Sequence, residues 1–210
     1  YGMAQSVLRA KHAVWGVDLD ADRRARFVAE GGRDGAVDVA ALDAAVIVVL
    51  NADQTRAILT GPDGLIGRKK PGAAVIACAT VPPAFARDMS EAAAAAGLHY
   101  LDAPISGGAV KAAQGALSIM ASGTPETFAA ARPALDALAE TVFELGDAPG
   151  AGSAMKAINQ LLAGVHIAAM AEAVTFGMTQ GVDPRTTVDV ISKCAGSSWM
   201  FENRGPRVAD

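Results

Sequence analysis

Residues 44–50 read Ala-Ala-Val-Ile-Val-Val-Leu, a run of seven apolar side chains without a polar interruption. Such a run is typical of a strand buried on both faces, as the central strands of a parallel sheet are. Similar short runs alternate with segments of helical periodicity, so the pattern predicts βαβ units and a doubly wound, mostly parallel α/β sheet. Further strands are predicted at 12–18, 73–79, 99–103, 117–122 and 141–145, and helices at 1–10, 20–30, 54–59, 83–96 and 125–139.

The strand signals end at Gly150, and the rest of the sequence is helical in character. Residues 153–180 form one long helical pattern of about 40 Å at 1.5 Å per residue. A turn and a capping aspartate then start a further helix. We therefore predict two domains, a Rossmann-like domain over residues 1–149 and the start of an all-helical domain over residues 150–210.

The composition limits the classes of protein to which the chain can belong. Its 18 Lys and Arg against 22 Asp and Glu give a net charge of −4, which does not provide the basic face that nucleic-acid binding needs. Cys78 and Cys194 are too few for a zinc site or a disulfide framework, and the histidines lack metal-ligand spacing. The apolar run 161–174 contains His166 and Glu172 and is shorter than the roughly 20 residues of a membrane span. With no leader pattern, we expect a soluble cytoplasmic protein without metal, nucleic acid or membrane.

An acidic residue, Asp18, ends the first predicted strand. Doubly wound sheets bind dinucleotides at the carboxyl ends of their strands, with the phosphates on a glycine-rich turn. The chain contains no G-x-G-x-x-G between a strand and a helix. Asp18 nevertheless lies where a carboxylate would accept hydrogen bonds from the ribose hydroxyls of NAD and repel the 2′-phosphate of NADP. A solvated strand end is the alternative interpretation.

Lys156 and Asn159 lie three residues apart at the start of the long apolar helix, so they share one helix face. An apolar environment and the positive end of the helix dipole both disfavour the ammonium form of Lys156, which predicts a lowered pKa. Such a lysine can act as the base for a hydroxyl proton. The alternatives are a lysine whose stem lies along the surface and an asparagine that caps a neighbouring loop.

A second polar segment precedes this helix in the sequence. Ser106, Gly107 and Gly108 offer a hydroxyl and unhindered backbone N–H groups, which can bind a carboxylate. A plain turn is the alternative interpretation.

Two longer patterns resemble the β-hydroxyacid dehydrogenases, the group of 3-hydroxyisobutyrate, tartronate semialdehyde and L-threonate dehydrogenases. The family's substrate-binding signature D-x-P-V-S-G-G-x-x-x-A-x-x-G-x-L is matched by DAPISGGAVKAAQGAL at 102–117. Its catalytic signature G-x-G-x-x-x-K-x-x-N-N is matched by GAGSAMKAINQ at 150–160. The segment SSWMFENRGP at 197–206 looks most like the threonate dehydrogenase branch.

The resemblance implies an oxidoreductase that transfers a hydride between NAD, rather than NADP, and a small 3-hydroxy acid, a sugar acid such as L-threonate being one candidate. The long helical pattern over residues 153–180 in addition suggests a homo-oligomer at full length. The site residues that the resemblance implies are Lys156 as general acid and base, Ser106, Gly107, Gly108 and Asn159 for the substrate, and Asp18, Leu50 and Thr80 for the cofactor.

The match to the family also has departures. Gln160 replaces the second asparagine of the catalytic signature, Asn51 stands where proline is usual, and Ala77 and Ala79 replace the aspartate and serine of a D-x-S-T segment. The family places its phosphate-binding glycine loop just before the position of Tyr1 and further helices after the last residue. The resemblance therefore implies truncation at both ends, and leaves a catalytically inactive fragment or a non-catalytic interaction module as alternatives. Imine reductases are a rival within enzymes, although they usually lack the lysine.

Overall fold

The computed structural model describes residues 1–33 and 37–209, so residues 34–36 of the first predicted domain and residue 210 of the second lie outside the described residues. The helices are α1 (Gly2–Arg9), α2 (Ala21–Ala29), α3 (Ala52–Thr60), α4 (Pro83–Ala95), α5 (Gly108–Gln114), α6 (Pro125–Leu138), α7 (Ala151–Thr179), α8 (Pro184–Ile191) and α9 (Trp199–Ala209). The strands are β1 (Ala44–Ile47), β2 (Ala74–Ala77), β3 (His99–Asp102), β4 (Ile105–Ser106), β5 (Leu117–Ala121) and β6 (Ala139–Glu144).

Within the described residues the strands form two three-stranded sheets. The order in the first is β1-β2-β3, and both pairs are parallel. In the second, β4-β5-β6, strands β5 and β6 are parallel and β4 is antiparallel to β5. A bridge between Asp102 and Ser122 joins the end of β3 to the residue that follows β5. The predicted Rossmann-like, mostly parallel α/β fold is confirmed.

Strand β2 is buried on both faces, as its apolar sequence predicts. Every residue from Ala73 to Ala79 is at most 5% exposed. Ile76 packs in one core cluster with Leu135 of α6, whereas Val75 packs in a second cluster with Met89 of α4. Because successive side chains point to opposite faces of a strand, α6 covers one side of the sheet and α4 the other.

The strand predicted at 12–18 does not form. Trp15 makes an isolated parallel bridge with Arg33, and the Arg33 amide donates to the carbonyl of Val14 at 2.9 Å while the Gly16 amide donates to Arg33 at 3.3 Å. This pairing is too short to build a ladder of hydrogen bonds, and glycine weakens an extended segment further. The segment is therefore a loop that carries Asp18.

Two compact units divide the chain within helix α7. The first unit, Tyr1–Lys156, contains both sheets, and the second begins at Ala157. This division lies inside α7, whereas the predicted domain boundary lies before it, at residues 149–150. In the second unit the core cluster consists of Met170, Val174, Val188 and Phe201. Asp183 caps α8 by accepting the Thr186 amide at 2.9 Å, as the sequence predicts.

Helix α7 covers 29 residues, Ala151–Thr179, and so matches the long helix predicted over residues 153–180. The apolar run 161–174 is by itself too short for a membrane span. By length and composition the complete helix α7 is long and apolar enough to cross a membrane. Helices of soluble proteins pass the same test, so length alone does not assign α7 to a membrane.

Candidate active site

The first turn of α7 packs closely against the ends of β3 and β5. A Cβ atom on Gly152 would lie 2.3 Å from the carbonyl oxygen of Met120 and 2.9 Å from that of Asp102. Gly150 has a φ of 110°, a conformation that favours glycine. Both glycines of the predicted catalytic signature are thus explained by the close approach and the turn that start this helix.

Asp102 links the two signatures. Its side chain is fully buried, and its Oδ2 accepts the backbone amides of Gly150 at 2.9 Å and Ser153 at 2.8 Å. Its Oδ1 accepts the Ser153 hydroxyl at 2.6 Å. The Ser122 hydroxyl donates to Oδ2 at 3.2 Å, and the Ser122 oxygen accepts the Gly152 amide at 3.0 Å. The first residue of the substrate-binding signature therefore holds the start of the catalytic signature.

Lys156 lies one turn after Ser153 and is only 8% exposed. Across residues 1–33 and 37–209, its ammonium group forms no hydrogen bond and no ion pair. Burial lowers its pKa below the ordinary value for lysine. The side chain of Lys156 is thus largely buried and its ammonium has no protein partner, an environment that favours the neutral form of the amine.

The predicted anion-binding segment forms a tight turn at the end of β4. Gly107 and Gly108 have φ values of 134° and 71° and are exposed, and Ser106 is half-buried. A Cβ atom on Gly107 would lie 2.9 Å from Cβ of Lys111. The turn therefore requires glycine, and both of its glycines are exposed to solvent.

Asn159 lies on α7 and is half-buried. Its amide donates to Oε1 of Gln160 at 3.2 Å. Gln160 replaces an asparagine of the family signature, so this departure gives Asn159 a neighbour that accepts its hydrogen bond.

Asp18 lies at a cavity of about 230 Å³. The lining residues are Trp15, Gly16, Val17, Asp18, Arg24, Arg33 and Val37. Asp18 accepts the amide of Asp20 at 3.0 Å and a guanidinium N–H of Arg23 at 3.2 Å. These bonds, the amide first, lower the pKa of Asp18, so it is an anion at neutral pH. A carboxylate on the wall of a cavity beside an aromatic side chain fits the adenosine part of NAD.

Leu50 and Thr80 lie at equivalent places just beyond the ends of two neighbouring strands, β1 and β2. Ile47 and Ala77 are opposite each other in the register of β1 and β2, and Leu50 and Thr80 each follow by three residues. Leu50 is 85% exposed, and Thr80 is exposed as well. Both are accessible at the carboxyl edge of the parallel sheet, where this fold binds dinucleotides.

The departures from the family pattern have local explanations. Asn51 is the N-cap of α3 and accepts the Gln54 amide at 2.9 Å, which replaces the helix-starting role of proline. Ala77 and Ala79, each 4% exposed, belong to an apolar core cluster. Both side chains therefore pack within this core.

Sequence reasoning missed the roles of Ser122 and Ser153. An acidic residue at the end of an apolar strand is a sequence signal for Asp102, but its partners lie 20 and 51 residues away. Only the fold brings the two signatures together through Asp102, while Asp18 makes its bonds within its own loop and α2.

Comparisons with known proteins match both parts of the chain. The family model for the NAD binding domain of 6-phosphogluconate dehydrogenase matches residues 1–146, and the model for the NAD-binding region of NADP-dependent 3-hydroxyisobutyrate dehydrogenase matches residues 150–210. L-threonate dehydrogenase from Cupriavidus necator is 48% identical over 99% of this chain and 71% of its own length. That from Escherichia coli (strain K12) is 44% identical over 100% of this chain and 70% of its own length.

Solved structures have the same fold. The crystal structure of 3-hydroxyisobutyrate dehydrogenase from Salmonella typhimurium has a TM-score of 0.92 and 46% identity, covering 100% of this chain and 74% of that chain. An imine reductase from Streptomyces aurantiacus has a TM-score of 0.79 at 19% identity, over 99% of this chain and 71% of that one, a likeness of fold alone.

Proposed function

Because the chain belongs to the family of NAD-dependent hydroxy-acid dehydrogenases that includes L-threonate and 3-hydroxyisobutyrate dehydrogenases, we propose that it oxidises a sugar acid of the L-threonate type, with Lys156 as general acid and base. Its class is that of an oxidoreductase that transfers a hydride between NAD and a small 3-hydroxy acid. The alternatives of an inactive fragment and of a non-catalytic module receive no support from the relatives.

The observation that carries the proposal is the burial of Lys156 without a partner. Oxidation of an alcohol requires the loss of a hydride and of the hydroxyl proton, and NAD when bound is the hydride acceptor. Because burial lowers the pKa of Lys156, more of it is neutral near physiological pH than of an exposed lysine. The neutral Nζ accepts the hydroxyl proton during oxidation and returns it during reduction.

The substrate is held by groups other than Lys156. The exposed turn at Ser106, Gly107 and Gly108 offers a hydroxyl and backbone N–H donors, which suit a carboxylate. Asn159 supplies an amide that can donate to a substrate hydroxyl. Asp18, Leu50 and Thr80 form the chain's contribution to cofactor binding, and Asp18 favours NAD over NADP because a carboxylate repels the 2′-phosphate.

The role of Lys156 is tested by Lys156→Met with Lys69→Met as a matched control. Both lysines are buried, but Lys69 Nζ donates to the carbonyl of Leu42 at 2.7 Å. Loss of the general base should reduce kcat by about 10²- to 10⁴-fold. Steady-state kinetics should show this loss for Lys156→Met, with the Kd for NAD unchanged, whereas Lys69→Met keeps its kcat. Retained turnover by Lys156→Met would remove the lysine from the mechanism.

The assembly and location are part of the same proposal. We infer a homo-oligomer, because apolar side chains of α7 such as Leu161 and Phe176 are each 66% exposed in the second unit. We also infer two domains, over residues 1–149 and 150–210, and a cytoplasmic protein that binds neither nucleic acid nor membrane. Sedimentation equilibrium tests the homo-oligomer, which a monomer would contradict. Cell fractionation tests the cytoplasmic location, which a membrane-bound pool would contradict.

A further inference from the structure

Asp102 is a buried charge that the proposed chemistry does not use. It is the last residue of β3, and none of its surface is exposed to solvent. Both of its carboxylate oxygens accept hydrogen bonds from protein groups. It therefore cannot contact a substrate, and any role that it has lies in the hydrogen bonds that it accepts within the protein.

The bonds of Asp102 converge on one structural element. The amides of Gly150 and Ser153 and the Ser153 hydroxyl all belong to the turn that starts α7. Ser122 adds a second connection, because its oxygen accepts the Gly152 amide at 3.0 Å while its hydroxyl donates to Asp102 at 3.2 Å. Amides at a helix N-terminus lack partners within the helix and interact favourably with a negative charge.

Lys156 lies one turn after the residues of α7 that are hydrogen-bonded to Asp102 and Ser122. Ser153 and Lys156 are three residues apart on α7 and so share a helix face. Any tilt or fraying of the first turn would move Nζ and increase its contact with water. Beyond β3, the chain that leaves Asp102 is fixed by the Met120 amide, which donates to the Pro104 carbonyl at 2.9 Å before the turn at Ser106.

We propose that Asp102, through Ser153 and Ser122, is a positioning residue that fixes the first turn of α7 and thereby holds Lys156 in its buried, reactive place. The inference rests on the proposed function of Lys156. It gives Asp102, which belongs to the signature at 102–117, a structural role in the signature at 150–160. This role does not depend on contact between Asp102 and the substrate.

The experiment compares Ser153→Ala, Asp102→Leu and Asp102→Asn in the intact enzyme. Ser153→Ala removes one donor, and Asp102→Leu removes both acceptors. In Asp102→Asn the amide oxygen can accept the two backbone amides while the amide nitrogen donates to the Ser153 oxygen, so this variant should rescue part of the loss. Ser6→Ala is the matched control, because Ser6 is buried and its hydroxyl donates to Met3 at 2.8 Å, away from α7.

We expect kcat to fall on the order of 10-fold in Ser153→Ala and further in Asp102→Leu, since small displacements of a catalytic group are costly. The Kd for NAD should stay the same. The rise of kcat with pH in the oxidation direction should also move to higher pH, because a more hydrated Lys156 has a higher pKa. A general loss of stability would reduce the amount of folded enzyme without moving this pH profile.

The outcomes separate the two proposals. If Lys156→Met is inactive while Ser153→Ala and Asp102→Leu keep the wild-type kcat and pH profile, the positioning role is wrong and the proposed function stands. If Lys156→Met retains turnover, Lys156 is not the general base, and the positioning role of Asp102 that rests on it is wrong as well. Should Asp102→Leu not fold, Ser153→Ala decides the matter alone, with Ser6→Ala as its reference.

Discussion

Two buried lysines, Lys69 and Lys156, differ in whether their ammonium groups form hydrogen bonds with the protein. Lys69 is 6% exposed and Lys156 is 8% exposed, and burial is the main cause that lowers the pKa of each. The Lys69 ammonium donates a hydrogen bond to the Leu42 carbonyl. Lys156 has no such bond within the described residues, so no hydrogen bond from the protein offsets the loss of hydration that its burial causes. A residue that lowers stability in this way is expected at a functional site.

This cost can be measured as a function of pH. Since the pKa of Lys156 is lower in the folded state, the unfolded chain binds more protons at pH values between the folded pKa and about 10.5. The free energy of unfolding therefore carries a penalty at neutral pH, which diminishes as pH rises through this window. Lys156→Met should unfold at a higher temperature than the wild type at pH 7, and the difference should shrink toward pH 10.5.

Calorimetric unfolding across this pH range checks the expectation. Lys69→Met is the control, since it also loses a hydrogen bond and should gain less stability. A wild-type protein that is as stable as Lys156→Met at pH 7 would mean that the folded protein solvates the Lys156 ammonium.

At the scale of elements, the start of α7 is built around a glycine. A side chain at Gly152 would meet the backbone oxygens of Met120 and Asp102, and backbone cannot move aside cheaply. Gly152→Ala should therefore displace the helix start, destabilise the protein by about 1–3 kcal/mol and lower kcat. Thermal unfolding and steady-state kinetics measure the two effects.

Gly164→Ala on the same helix is the matched control. No atom lies within 4 Å of a Cβ atom built at Gly164, and alanine is favoured over glycine in a helix by about 0.5–1 kcal/mol. Gly164→Ala should leave the protein equally stable or more so, with an unchanged kcat. Equal behaviour of the two variants would show that the approach of α7 to β3 and β5 is not close in solution.

The elements differ in how far the sequence predicts them. Strand β2 was predictable because its apolar run is buried on both faces, and the N-caps of α3 and α8 follow from side chains one turn before an amide. The segment 12–18 also contains several apolar residues but forms only an isolated bridge, because a strand depends on partners that its own sequence does not describe. The proximity of Lys156 and Asn159 could be predicted because the two residues are three apart on one helix. The hydrogen bonds of Asp102 could not be predicted, because its partners are distant in the sequence.

At the scale of the whole molecule, most site residues share one compact unit. Asp18, Leu50, Thr80, the turn at Ser106 and Lys156 all belong to Tyr1–Lys156, and Asn159 belongs to the second unit. The family models also meet between residues 146 and 150, just before α7. The chemistry proposed for Lys156 therefore depends on the fold of the first unit and on how α7 begins there.

Substrate and cofactor choice belong to this scale because they test the proposed function as a whole. L-threonate, D-glycerate, 3-hydroxyisobutyrate and 6-phosphogluconate should be compared by kcat/KM, each with NAD and with NADP. We expect L-threonate to give the highest value, because the relatives at 48% and 44% identity are L-threonate dehydrogenases. NAD should exceed NADP by at least about 10-fold, since Asp18 would face the 2′-phosphate while Arg23 already pairs with that carboxylate. A preference for 3-hydroxyisobutyrate would instead favour the activity named for the Salmonella structure, and a preference for NADP would mean that Arg24 and Arg33 outweigh Asp18 at the cavity that all three line.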